Sequence, residues 1–231
     1  MTKHYSSVFI DWDDTLWDFH ANAYIALEKA YERHNLPLYF DSFQHFYTLY
    51  EERNKELWAE YAKGQITKEY LQKERFLYPF KAIHNANEVL AEKVGTDFLE
   101  LTILQNKLVT GATELMEYLS EKYSIVLVSN GFKEVQYRKI ASSGLQHYIT
   151  HVVLSEEIGV QKPNKQIFEH ALKLINKTNS EVIMIGDNLE TDIKGAANIG
   201  IDTIYLSKNI PSTIGYPTHT VQTLSQIMNI I

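Results

Sequence analysis

Cysteine is missing altogether from the 231 residues. Its absence excludes disulfides, thiolate zinc sites, iron–sulfur clusters and a thiol nucleophile. Long apolar runs are missing too. Nothing approaches the ~18 consecutive apolar residues of a membrane helix, and the three ahead of Asp11 (Val8, Phe9, Ile10) are too few for the apolar stretch of a secretory signal. Positive charge is short: Lys and Arg total 22 against 29 Asp and Glu, a net −7. That balance argues against a nucleic-acid polymer as partner, since phosphate chains need a basic surface. One small phosphate held by a few local groups is not excluded. Glycine (10) and proline (5) form no linker, and neither a dinucleotide-type glycine fingerprint nor a Walker-type loop is present. These absences predict a cytoplasmic enzyme or binding protein with no membrane partner.

Apolar residues make up 45% and charged residues 22%, enough to bury a core. From about Thr110 onward, short β-rich runs alternate with helical patterns. The runs are Ile125–Val128, Val152–Leu154, Val182–Ile185 and Thr203–Leu206. Each is nearly all apolar, as parallel strands covered on both faces should be. Between them lie helical stretches at 113–122, 133–142, 165–176 and 191–199, the third with Asn164 placed to cap it. Such alternation predicts a doubly wound α/β sheet. Val8–Ile10 reads as one more strand, yet Ser129 lies 118 residues beyond Asp11. A βαβ unit takes only roughly 30 residues or somewhat more, so something is inserted. Residues 17–106 read as helices at 21–33, 41–61, 67–80, 87–94 and 97–106, punctuated by Gly64 and Pro79, with Asp97 and Glu100 in a capping-box pattern. The expected organisation is an α/β core of 1–16 and 107–231 and a helical insert of 17–106. An open α/β sheet binds its ligand at the carboxyl ends of its strands, which makes the insert a natural cap.

Those strand ends carry polar groups in order. The first gives Asp11, Asp13, Asp14 and Thr15, and the second Ser129, Asn130 and Gly131. Lys162-Pro163 follows the third, and the fourth ends on Gly186, Asp187 and Asn188, with Asp192 one turn later. Carboxylates converging in a cleft repel one another unless a cation lies between them. Oxygen ligands without His or Cys suit a hard ion, Mg²⁺ above all where phosphate completes the shell. Ser129 with the N–H groups after it can cradle an anion, and Lys162 adds a positive charge. Each residue also has a plainer reading, as a turn Asp, an N-cap Ser, a loop Lys or a helix-start acid; the ordered set is what favours chemistry. His147 and His151 are four apart but lack a following Glu or a third ligand, so zinc is not expected.

Asp11-Trp12-Asp13-Asp14-Thr15-Leu16, Ser129-Asn130-Gly131, Lys162-Pro163 and Gly186-Asp187 with Asp192 resemble the four ordered motifs of the haloacid dehalogenase (HAD) superfamily. The resemblance spans residues 8 to about 200, and the insert falls where a helical cap does in that family. It implies a Rossmann-like core and a phosphoryl-transfer site. Asp11 would be the nucleophile that forms an aspartyl phosphate, and Asp13 the acid and then the base. Ser129 and the N–H groups of Asn130 and Gly131 would hold phosphate oxygens, with Lys162 bridging nucleophile and phosphate. Asp11, Asp187 and the main-chain carbonyl of Asp13 would ligate Mg²⁺, and Asp192 would orient the metal's surroundings. Most of the family carries Gly where this chain has Asp14. Name-giving dehalogenases lack an acid two residues after the nucleophile, so Asp13 points to a phosphatase.

The insert holds 17 of the 28 aromatics, most of them needed to fill a small helical core. Trp17, Trp58 and Tyr61 are candidates to face a planar substrate, and Trp17 and residues 106–110 are candidate hinges. Leu57–Thr67, together with Asp11–Leu16, is similar to the HAD pyrimidine 5′-nucleotidases. That similarity implies a nucleoside monophosphate as the small phosphorylated partner of a monomer or dimer. A sugar-phosphate or phosphoglycolate phosphatase, or a silent phosphate-sensing or protein-binding module, remain the alternatives.

Overall fold

The computed structural model describes residues 4–85, 87–208 and 215–231. The chain forms two compact units, one of Met1–Phe19 with Lys107–Ile231, the other of His20–Asn106.

The second unit is helical. Its helices are α1 (Phe19–Arg33, starting at the boundary), α2 (Phe43–Ala62), α3 (Lys68–Ala82) and α4 (Glu88–Thr102). Ser42, Thr67 and Asn87 cap the last three by accepting from the N–H three residues on. Tyr50, Phe76 and Phe98 pack as a triangle with ring centroids 5.4, 5.8 and 5.3 Å apart. The buried Arg75 guanidinium lies 4.9 Å from the Phe76 ring and 5.4 Å from that of Phe98. Two expectations fail here. Asp97 and Glu100 do not start a helix, because α4 runs through them; Asp97 instead accepts from Arg33 (3.1 Å) and His34 (2.9 Å). Nor does Pro79 end α3. It costs one backbone bond near the last turn, while Phe76, Leu77 and Phe80 bury that turn on both sides of it.

The first unit is a six-stranded parallel sheet in the order β3-β2-β1-β4-β5-β6. The strands are β1 (Ser7–Ile10), β2 (Ser124–Ser129), β3 (His151–Leu154), β4 (Val182–Gly186), β5 (Asp202–Leu206) and β6 (His219–Val221). Around them run α5 (Ala112–Ser120), α6 (Lys133–Ser142), α7 (Ser155–Ile158), α8 (Lys165–Leu174) and α9 (Lys194–Ala197). Successive strand residues face opposite sides. Val8 and Ile10 join Leu115, Met116 and Leu119 of α5 in one core layer, and Phe9 joins Ile167, Phe168 and Ala171 of α8 in the other. This is the doubly wound architecture the alternating pattern predicts. β6 lies outside the expectation: only Val221 of its three residues is buried, so it leaves no apolar run to read.

Two local features bear on the site. The helix expected over 191–199 is a wide π turn, Leu189–Ile193, followed by α9, with the Ile193 N–H reaching back five residues to the Asn188 carbonyl (3.3 Å). The ends of the insert are tied together: Val109 N–H donates to Leu16 O (2.9 Å), Asp18 N–H to Lys107 O (3.1 Å), and Trp17 bridges Leu108 in antiparallel fashion. No helix among the described residues is long and apolar enough to cross a membrane.

Candidate active site

β1 is one of the sheet's two central strands, with Ile10 in register with Leu127 on one side and Ile185 on the other. Leaving β1, the chain order reverses between β1 and β4, the crevice where open α/β sheets hold ligands. Asp11 is the first residue past β1, and its N–H is fixed on Ile185 O (3.0 Å). Its Oδ1 accepts from Lys162 Nζ (2.6 Å) and its Oδ2 from Thr15 Oγ1 (3.2 Å). The Thr15 hydroxyl also reaches Asp187 Oδ1 (3.0 Å), so one wholly buried threonine bridges two carboxylates.

Lys162, 2% exposed, donates to Asp11 Oδ1, Asp192 Oδ1 (2.7 Å) and Val128 O (2.7 Å). Three protons meet three acceptors, which is how a buried ammonium becomes tolerable. Burial pulls this ammonium down, but the two carboxylates outweigh burial and raise it. Asn130 fixes the lysine's main chain, donating from Nδ2 to Lys162 O (3.0 Å) and accepting its N–H on Oδ1 (2.8 Å). The Asn130 side chain therefore serves the lysine loop, whose Lys162–Pro163 peptide is cis.

Asp192 is buried by the π turn, where Asn188 N–H donates to its Oδ2 (3.1 Å). Ligand atoms of Asp11, Asp187 and Asp192 all lie within 4.8 Å of one another. Among the described residues this is the group close enough to share a cation, and neither His147 nor His151 belongs to it. Burial, with Asp192 adding to it and Lys162 opposing, pushes Asp11 up to about 7. Asp187 is raised as well, by burial and then by Asp11 and Asp192. Oxygen ligands crowded into an electrostatic conflict of this kind suit a hard divalent cation, which would relieve it.

On the other flank, Ser129 Oγ accepts from Gly131 N–H (3.0 Å) and from Gln136 Nε2 (2.8 Å). Both lone pairs are used, so the hydroxyl proton is what Ser129 has to offer an anion. The Gly131 N–H is spent on Ser129. The second hydrogen of Gln136 Nε2 goes to Asp13 Oδ2 (2.8 Å), and Lys139 Nζ pairs with Asp13 Oδ1. Asp14 sits at φ +62°, the left-handed region where Gly is easiest and Asp among the better tolerated alternatives. Trp17 is wholly buried in the α/β unit, its ring 4.2 Å from Lys139 Nζ. Trp58 and Tyr61 belong to the helical unit, where their rings meet edge to face at 5.8 Å.

The motif residues thus assemble as Asp11–Lys162–Asp192, Asp11–Thr15–Asp187 and Ser129–Gln136–Asp13. Sequence reasoning gave no role to Thr15 and missed Gln136 and Lys139. A signal existed for the last two: Gln136, Lys139 and Ile140 share one stripe of α6 with Phe132 just ahead of it, and all four are buried. An amide and an ammonium in an apolar stripe need polar company.

A model of haloacid dehalogenase-like hydrolases matches residues 5–200. The HAD-hydrolase YfnB of Bacillus subtilis is 31% identical over 99% of this chain and 96% of its own. A crystal structure of that protein bound to magnesium, described as revealing interdomain movement, superposes with a TM-score of 0.88 over 99% of both chains at 28% identity. The pyrimidine 5′-nucleotidase YjjG of Escherichia coli is 31% identical over 97% of this chain and 96% of its own. A glyceraldehyde 3-phosphate phosphatase of Pyrococcus furiosus is 32% identical over 86% and 79%. With its ordered strand-end carboxylates gathered about a buried lysine, and with relatives matched along nearly its whole length, this chain belongs to the haloacid dehalogenase-like hydrolases.

Proposed function

We propose that the chain is a Mg²⁺-dependent phosphomonoester hydrolase that works through an aspartyl phosphate on Asp11 and prefers pyrimidine-type nucleoside 5′-monophosphates. The observation that carries the chemistry is the setting of Asp11. It lies at the end of a central strand, oriented by Lys162 and Thr15 and crowded by Asp187 and Asp192. Asp11 and Asp187, with the Asp13 carbonyl, would hold the Mg²⁺ and Asp192 would steady them. The bound ion would supply positive charge against the phosphoryl oxygens.

The protein's own groups do the rest. An Asp11 oxygen attacks phosphorus in line as the bond to the ester oxygen breaks, and Asp13 gives the leaving oxygen its proton. Asp13, now a carboxylate, takes a proton from water as that water attacks phosphorus and the bond to Asp11 breaks, releasing inorganic phosphate. The Ser129 proton and the Asn130 N–H would hold phosphoryl oxygens. Lys162, its three protons committed, aligns Asp11 and can reach phosphate only by sharing one of them.

For the substrate, the full-length likeness to a pyrimidine 5′-nucleotidase favours a nucleotide. The likeness to a glyceraldehyde 3-phosphate phosphatase favours a small sugar phosphate as the second reading. Initial rates with Mg²⁺ on dUMP, dTMP, UMP, phosphoglycolate and glyceraldehyde 3-phosphate decide between them. A preference for either of the last two overturns the nucleotide assignment. Asp11→Asn is expected to lower turnover by about 10³-fold or more with the fold intact; retained turnover would remove Asp11 as nucleophile.

A further inference from the structure

The carboxylate of Asp13 is held from both sides by one helix. Lys139 of α6, 3% exposed, pairs with Oδ1, and Gln136, wholly buried one turn earlier, donates to Oδ2 at 2.8 Å. With a partner on each oxygen, the carboxylate plane cannot rotate without breaking a contact to a buried side chain. Neither partner is free to drift. The Lys139 ammonium sits 4.2 Å from the Trp17 ring centre and 5.7 Å from that of Phe19. The other hydrogen of the Gln136 amide is fixed on Ser129 Oγ at 2.8 Å. Two acceptors at one amide nitrogen also settle which end of that amide is nitrogen. A third observation concerns Gly131. A Cβ there would stand 2.5 Å from both the carbon and the nitrogen of the Gln136 amide, so the chain leaves out a side chain where Gln136 must pass.

We infer that Gln136 and Lys139 are positioning residues for proton transfer by Asp13, with Gln136 coupling the Asp13 carboxylate to the Ser129 hydroxyl. The inference rests on the assignment of Asp13 as acid and base. It predicts a loss that depends on how much the leaving oxygen needs a proton. An alkoxide needs it badly and p-nitrophenolate hardly at all, whereas a merely structural defect lowers both reactions alike.

The test is kcat/KM, with Mg²⁺, for Lys139→Met, Gln136→Met and Lys139→Arg. The two probes are p-nitrophenyl phosphate and whichever of dUMP, phosphoglycolate or glyceraldehyde 3-phosphate the wild type hydrolyses. Expected for the two Met variants is a loss on the alkyl ester about 10²-fold, at least about tenfold larger than on the aryl ester. Lys139→Arg, which keeps the ion pair, should recover most of it. Should Lys139→Met fail to fold, Gln136→Met carries the test alone, since it leaves the ion pair in place. Equal losses on both esters, or no loss, overturn the positioning role and leave the hydrolase reading standing. A wild type inactive on every phosphomonoester overturns both.

Discussion

Asp192 and Gly186 show how far a single residue's chemistry is set by its neighbour. A Cβ at position 186 would lie 2.4 Å from Asp192 Oδ2 and 2.6 Å from its Cβ. Asp192 cannot step aside, because Lys162 holds one of its oxygens and the Asn188 N–H the other. Gly186→Ala is therefore expected to cost about 1–3 kcal/mol of stability and to weaken Mg²⁺ binding. Denaturant melts read the first effect and calorimetric titration the second. An unchanged midpoint would mean that the carboxylate can move. Thr15 presents the complementary case. Its single proton serves Asp11 and Asp187 together, softening the repulsion between two groups that burial has already made costly.

At the scale of elements, the wide turn after β4 delivers Asp192. A regular helix from 191 onward would aim that side chain elsewhere; the five-residue reach from Ile193 to Asn188 swings it against Lys162. Asn188 starts the turn by accepting from Glu190 and Thr191 N–H, each at 3.1 Å. Asn188→Ala should cost about 1 kcal/mol, as should removal of the Asn87 cap of α4. Only Asn188→Ala should also loosen Mg²⁺. Parallel melts and metal titrations of the two variants check this, and equal metal affinities would refute it. The strands were legible because burial on both faces leaves unbroken apolar runs, as in Ile125–Val128 and Val182–Ile185. The strand-end acids were legible because turns after strands are few and their order is fixed. Gln136 and Lys139 were not, because they pack into polar company from another strand end, and a stripe of apolar positions says nothing about that. Asp97 misled for a related reason: its partners, Arg33 and His34, lie more than sixty positions away.

For the molecule as a whole, the crowded carboxylates set a pH dependence. Asp11 is pushed up to about 7 and Asp187 is raised as well, against about 3.9 for an unfolded Asp. A carboxyl that holds its proton more tightly when folded contributes stability in full below its unfolded value, and loses it as pH climbs through the folded one. The metal-free protein should thus melt at falling temperature from about pH 5 to about pH 8. Mg²⁺ should restore the loss, with an increment that grows with pH. Thermal melts with and without Mg²⁺ across that range test this, and a flat metal-free profile would contradict it.

Much of the aromatic surplus of the sequence lies in the helical unit, where Tyr50, Phe76 and Phe98 pack against one another. That unit enters and leaves through paired backbone, Leu16 with Val109 and Asp18 with Lys107. Its two ends are therefore held a strand's width apart whatever grows between them. Such a closed stem acts as a grafting point: the inserted segment can lengthen, shrink or be exchanged over generations without rethreading the sheet. The sheet, with the carboxylates at its strand ends, can then be inherited unchanged while the insert is altered.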